Sequence, residues 1–189
     1  MAFLRRVLDA LSRPGQRVSL GRYVKGVSLG PAMSHLLLTL TDDDTEVEHV
    51  EQARREGVNI SEFPTTVAAA KAARAAGIAI VMGGPNLVKG GSHSGNVAAA
   101  ELAKLDLLDI FSSDYVPASL LQSAFLLRDS VGLGMPKAVA TVTKNPAHVI
   151  GLNDCGELAP GLRADLIRVR MSGDMPIVRG AWHKGERAF

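Results

Sequence analysis

The chain has a single cysteine, Cys155, in 189 residues. An internal disulfide is excluded, which fits a reducing, cytoplasmic setting. The thiol reads as a small side chain in a turn. Aromatic residues make up 4% of the sequence, too few for a base-stacking nucleic-acid platform. Neither sign of charge dominates: the formal charge is +2, so no broad polyanion-binding surface is expected. No apolar run reaches the roughly 20 residues of a membrane span. Neither a nucleic acid nor a membrane is therefore expected as a partner. The opening "MAFLRRVLDALSRPGQR" lacks the uninterrupted apolar stretch and cleavage site of a secretory signal. Phe3, Leu4, Val7, Leu8 and Leu11 recur at helical spacing, so it reads as a surface helix broken at Ser12–Gly15, with a transit peptide as the alternative.

What is present is 47% hydrophobic residues, enough to bury a core. Residues 16–34 have no clear period and read as irregular. From residue 36 a rhythm sets in. "LLLTLT" (36–41), "VNISEF" (58–63), "IAIVM" (78–82) and "LLDIFSS" (107–113) read as short buried strands. "EVEHVEQARREG" (46–57), "TVAAAKAARAAG" (66–77), "VAAAELAKL" (97–105) and "PASLLQSAFLLRD" (117–129) read as helices, two of them closed by Gly57 and Gly77. Strands alternating with helices predict an α/β protein with a parallel sheet covered on both faces. An open doubly wound sheet and part of a (β/α)8 barrel both fit. In either, function gathers at the carboxyl ends of the strands. After residue 145 come a short helix and closely spaced turns. "ADLIRVR" and "MPIVRGAWHKGERAF" then read as strands of a small β appendage.

Polar residues collect at those strand ends. Asp42, Asp43 and Asp44 follow the first strand; capping of the next helix needs only one of them. Glu62 ends the second strand and suits either a metal or a helix cap. Asp114 follows "LLDIFSS"; it suits a metal ligand or proton acceptor, or a cap for the helix near Pro117. The stretch "GGPNLVKGGSHSGN" (83–96) interrupts the apolar rhythm with glycines, Asn86, Lys89 and His93. Exposed backbone N–H groups, a point charge and the start of the next helix suit an anionic group such as a phosphate. The order of residues is not that of a Walker loop. His93 suits a metal, a general acid or a phosphate contact, or is a solvated loop histidine. His49 and His148 lie on helices without a two-histidine metal spacing and read as structural.

The block "MGGPNLVKGGSHSGNVAAAELAKLDLLDIFSSDYVPASLLQSAF" resembles the phosphonate-metabolism hydrolases called PhnM, of the carbon–phosphorus lyase pathway, within the amidohydrolase superfamily. "ISEFPTT" and "TKNPAHVIGLNDCGELAPGLRADLIRVR" are similar to the flanking blocks, so the resemblance runs from about Asp43 to the C-terminus. It implies a metal-dependent hydrolase on a (β/α)8 barrel that releases pyrophosphate from α-D-ribose 1-methylphosphonate 5-triphosphate. The small-molecule partner is then a phosphorylated sugar phosphonate, and the cofactor a divalent metal ion. On this resemblance Asp114 and His93 are catalytic, and Asp114, Glu62 and Asp43 hold metal. Asn86, Lys89, Gly90, Gly91, Ser92 and Ser94 face the phosphates.

The chain departs from the pattern in two places. The family's Ser-His-Asp-Asp run finds its last two acids in Asp43 and Asp44, but Asp42 stands at the histidine. A complete barrel takes about 250 residues, whereas the β-α units here make about half of one. The expected division is a poorly matched segment 1–41, a partial barrel 42–150 with four β-α units, and a small β-domain 151–189. The expected fold is thus the C-terminal half of an amidohydrolase-type barrel. Such a half has two open sheet edges and an uncovered inner face, so a homo-oligomer or a complementary N-terminal half is expected to cover them. The competing functional readings are a non-catalytic truncated or split-gene half, and an amidohydrolase acting on a C–N bond.

Overall fold

The computed structural model describes residues 17–18, 27–28, 40–42, 44, 46–55, 57–92 and 95–189. The helix expected over residues 3–11 lies outside them. Arg17–Val18 (β1) pairs antiparallel with Val27–Ser28 (β2), within the stretch read as irregular. A ladder of two residues is too short to leave a period in the sequence.

The centre of the fold is a four-stranded parallel sheet in sequential order. Its strands are Leu40–Asp42 (β3), Ile60–Glu62 (β4), Ala79–Gly83 (β5) and Ile110–Ser112 (β6). Helices Val47–Arg55 (α1) and Val67–Ala75 (α2) return the chain between strands. Each is followed by a glycine with a left-handed backbone, Gly57 at φ 73° and Gly77 at φ 73°, which stops the helix. Thr66 caps α2, accepting the Ala69 N–H at 3.1 Å on its hydroxyl.

Side chains alternate across the sheet. Ile80, Met82 and Phe111 face the helices and pack with Ala69, Ala70 and Ala73 of α2 in the main core. Alanines let α2 approach closely. The opposite face carries Glu62, Val81 and Ile110 in one row of neighbours, with Gly83 and Ser112 in the next. An uncovered inner face was expected, but Val81 and Ile110 are 0% exposed and Ile60 3%. Exposing each such side chain would cost about 1.5–3 kcal/mol, which drives this face out of water. The β6 edge is also used: the Phe111 N–H donates to the Thr141 carbonyl at 3.0 Å. At the amino ends of the strands, Asp109 accepts the Ile80 N–H at 2.8 Å and pairs with Arg74 at 2.9 Å, pinning β6 against β5 and α2.

The glycine stretch after β5 is not wholly irregular. Gly84–Val88 (α3) is a short helix with Pro85 in its first turn, where proline costs no hydrogen bond. Ala99–Lys104 (α4) follows, and Ser119–Leu126 (α5) runs on through a wide turn at Leu127–Val131. Met135–Ala140 (α6) was not anticipated; its four apolar residues out of six carry no amphipathic period. Lys144–Val149 (α7) matches the expected short helix. Leu166–Ser172 (β7), Met175–His183 (β8) and Glu186–Arg187 (β9) form an antiparallel sheet, as expected for the appendage. Among the described residues no helix is long and apolar enough to cross a membrane.

Candidate functional site

β5 and β6 deliver their last residues to the same end of the sheet, with Gly83 beside Ser112. Gly84 follows directly and lies against α5: a Cβ there would collide with the Ser119 side chain. This close approach fixes α3, and α3 sets where the chain emerges at Lys89. Gly90, at φ 82°, then turns the chain back in a left-handed conformation.

Asp114 lies two residues beyond β6 and is half-buried. Its φ is 48°, a left-handed conformation that aspartate tolerates better than most residues. Phe63, at the end of β4, has φ 58°. The two bends aim both side chains at Gly83. An ideal Cβ on Gly83 would lie 3.3 Å from Asp114 Oδ2 and 3.0 Å from the Phe63 ring. The capping role open to Asp114 is not the one it takes. The residue before α5 is Ala118, with no side-chain cap.

A cavity of about 220 Å³ opens here, lined by Phe63, Gly83, Asn86, Lys89, Gly91, Ser92, Asn96, Asp114 and Tyr115 among others. The structure thus brings Asp114 together with Asn86, Lys89, Gly91 and Ser92. Gly90 adjoins the cavity as the turn between two lining residues. Asn86 Oδ1 accepts the Ala99 N–H at 2.8 Å, so its carbonyl caps α4 while the residue lines the cavity. Lys89 Nζ donates to the Tyr115 hydroxyl at 2.6 Å and sits 5.1 Å from that ring's centre. Tyr115 was not singled out in the sequence. The available signal was an aromatic residue directly after a strand-end acid, in a chain with few aromatics.

Glu62 is elsewhere. It is 4% exposed, on the inner face of β4, and does not line the cavity. It does not cap α2, whose cap is Thr66. Asp44, also 4% exposed, accepts the Ser61 hydroxyl at 2.8 Å, and its backbone carbonyl accepts the Thr65 N–H at 2.8 Å. It ties the end of β3 to β4. Asp43, His93 and Ser94 lie outside the described residues. Among the described residues no group of three His, Cys, Asp or Glu side chains could hold a metal ion. His49 and His148 stand on α1 and α7, on helices as expected.

A parallel α/β sheet with a polar cavity at the strands' carboxyl ends is the class that fold and site define. Solved structures share the fold. An amidohydrolase from Thermotoga maritima MSB8 aligns with 100% of this chain and 52% of its own, at TM-score 0.62 and 18% identity. The N-acetylglucosamine-6-phosphate deacetylase from Pasteurella multocida aligns with 80% of this chain and 50% of its own, at TM-score 0.57 and 14% identity. The fold is therefore an amidohydrolase fold, of which the chain covers about half.

Residues 1–101 match the family described as bacterial phosphonate metabolism protein (PhnH), and the chain belongs to that family. Over 149 residues, 78% of the chain, it is 49% identical to the alpha-D-ribose 1-methylphosphonate 5-triphosphate diphosphatase of Escherichia coli K12, a PhnM protein. The resemblance read from the central block is thus borne out. The chain spans 39% of that relative's length. The two matches are too long to lie side by side in 189 residues, so they share part of the chain. Both names refer to phosphonate metabolism. Residues 1–41, which the resemblance left poorly matched, fall in the stretch that the PhnH family covers.

Proposed function

We propose that the chain is the C-terminal half of a phosphonate-catabolic triphosphate diphosphatase, acting in the cytoplasm within the carbon–phosphorus lyase pathway. Its substrate is α-D-ribose 1-methylphosphonate 5-triphosphate, the compound named for its 49%-identical relative. Residues 42–150 form the partial barrel, four β-α units of a (β/α)8 closure, and 151–189 a separate small β-domain. The observation that carries this reading is the convergence of Asp114, Lys89, Gly91 and Ser92 on one cavity at the carboxyl end of the sheet.

In the reaction a water oxygen bonds to the phosphorus nearest the sugar. The bond from that phosphorus to the bridging oxygen breaks, pyrophosphate leaves, and the 5-phosphate remains. Asp114 accepts the proton from the water. Lys89 and the N–H groups of the glycine turn balance charge on the phosphate oxygens. His93, as a catalytic group, and Ser94, as a phosphate contact, enter the proposal by the resemblance alone. Asn86 holds α4 in place beneath it.

A divalent ion belongs to the reading by family, as a Lewis acid for phosphoryl oxygens. The described residues do not by themselves fit one. Asp114 and Glu62 are two carboxylates in different surroundings, and no three-donor group stands among them. A full ligand set needs Asp43, His93 and residues from the part of the relative that this chain does not span. No step is assigned to the metal.

That shortfall, with the 39% coverage, favours a second reading: a half that is inactive until a complementary chain is supplied. Pyrophosphate release is the test. The chain alone should release none, and adding the N-terminal portion of the Escherichia coli relative should restore it. Release with neither arrangement would refute the diphosphatase reading. Lys89→Ala should weaken binding of inorganic tripolyphosphate, followed by calorimetry, without lowering the melting temperature. Equal affinity in the variant and the parent would remove Lys89 from the phosphate role.

A further inference from the structure

Lys89 reaches the cavity on a flexible four-carbon stem, and a lone exposed lysine would spread its ammonium over many positions. Here it does not stand alone. Tyr115 holds it in two ways. The phenol oxygen accepts its hydrogen bond at 2.6 Å, and the ring lies under the ammonium at 5.1 Å from centroid to Nζ. The two residues come from different strand ends, Lys89 after β5 and Tyr115 after β6, twenty-six positions apart in sequence. Both line the same cavity as Asp114, and Tyr115 adjoins Asp114 directly. Tyr115 is 61% exposed, so it contributes little to the core.

We infer that Tyr115 is a positioning residue: it anchors the Lys89 ammonium at the cavity mouth, on the side where Asp114 acts, and so sets where a polyphosphate chain binds relative to the attacking water. This rests on the phosphate-binding reading of the cavity. The phenol takes one of the three ammonium protons, so this bond does not saturate the group. The ring face adds attraction without competing for those protons. Tyr115 acts through Lys89 and bonds to no phosphate itself.

A role exercised through Lys89 has a signature that a structural role lacks: its effect disappears once Lys89 is gone. The experiment is a double-mutant cycle on the full chain, read as affinity for inorganic tripolyphosphate by calorimetry. Tyr115→Phe keeps the ring and loses the hydroxyl, and should weaken binding about threefold. Tyr115→Ala loses both and should weaken it about tenfold, in the range of one charged hydrogen bond at a wet site. In the Lys89→Ala background, Tyr115→Ala should have no further effect. All variants should melt within a degree or two of the parent. If Tyr115→Ala costs as much in the Lys89→Ala background as in the parent, Tyr115 acts independently and the inference fails, while the phosphate reading stands. If Tyr115→Ala binds as the parent does and Lys89→Ala does not, the inference fails in the same way. If the parent shows no affinity for tripolyphosphate, the phosphate reading fails and this inference falls with it.

Discussion

Gly83 and Asp114 stand so close that a methyl group on the first would sit 3.3 Å from a carboxylate oxygen of the second. The same methyl would meet the Phe63 ring at 3.0 Å. Gly83 itself has φ −75°, so backbone strain is not the reason for a glycine. The reason is room. Gly83→Ala should push Asp114 and Phe63 apart and lower stability by about 1–3 kcal/mol, the usual range for overpacking. Urea unfolding of variant and parent measures it. An unchanged midpoint would mean that the two side chains yield freely.

Asp114 tests the chemistry more directly. Asn keeps the shape and the tolerance for a left-handed backbone but cannot take a proton. Asp114→Asn should reduce pyrophosphate release by the reconstituted protein at least a hundredfold, within the range of general-base effects. Its melting temperature should stay near the parent's. Asp114→Ala should cost additional stability, about 1 kcal/mol, because alanine pays for φ 48°. A fully active Asn variant would sink the assignment.

Ser112 offers a prediction of the opposite sign. Its hydroxyl is buried, at 0% exposure, with no hydrogen-bond partner among the described residues. A stranded polar group costs free energy, and removing it recovers that cost. Ser112→Ala should therefore hold or raise the melting temperature in calorimetric scans. A drop of several degrees would reveal a partner for the hydroxyl.

The β appendage should be sensitive to acid. The Lys184 N–H donates to Asp165 at 2.8 Å and the Arg163 guanidinium at 2.6 Å, and these hold the Asp165 carboxyl below its ordinary value. A carboxyl with a lowered folded-state pKa contributes stability that is complete above the unfolded value near 3.9 and lost as pH falls through the folded value. Melting temperatures between pH 7 and pH 3 should fall less steeply for Asp165→Asn than for the parent. Parallel slopes would show that Asp165 contributes nothing. Asp106, lowered by its hydrogen bond and charge pairing with Lys137, keeps part of the slope in both.

The alternation of strand and helix was legible because each element carries its own signal. Alanine-rich "TVAAAKAARAAG" could only be a helix, and Thr66 and Gly77 mark its ends as sequence rules require. The short α3 was not legible. Five residues beginning with glycine and proline read equally as a loop, and what holds them helical is packing against Ser119 and Ser123 far along the chain. Asp114 was legible as a strand-end acid, and Lys89 as a cation in a glycine stretch. Their meeting in one cavity, and the tyrosine between them, depends on how two loops fold toward each other. No spacing within either loop encodes that. Glu62 shows the reverse case: its place at a strand end was right, but it is buried one row deeper than Gly83 on the same face of the sheet and does not line the cavity.

The dryness of the sheet's inner face, at Val81 and Ile110, bears on how any complementary chain would join. A newcomer completing the barrel could not simply land on a waiting surface. It would first have to evict the atoms already shielding those two side chains. Joining would then be an exchange gated by a slow opening, with a rate that levels off however much of the second chain is added.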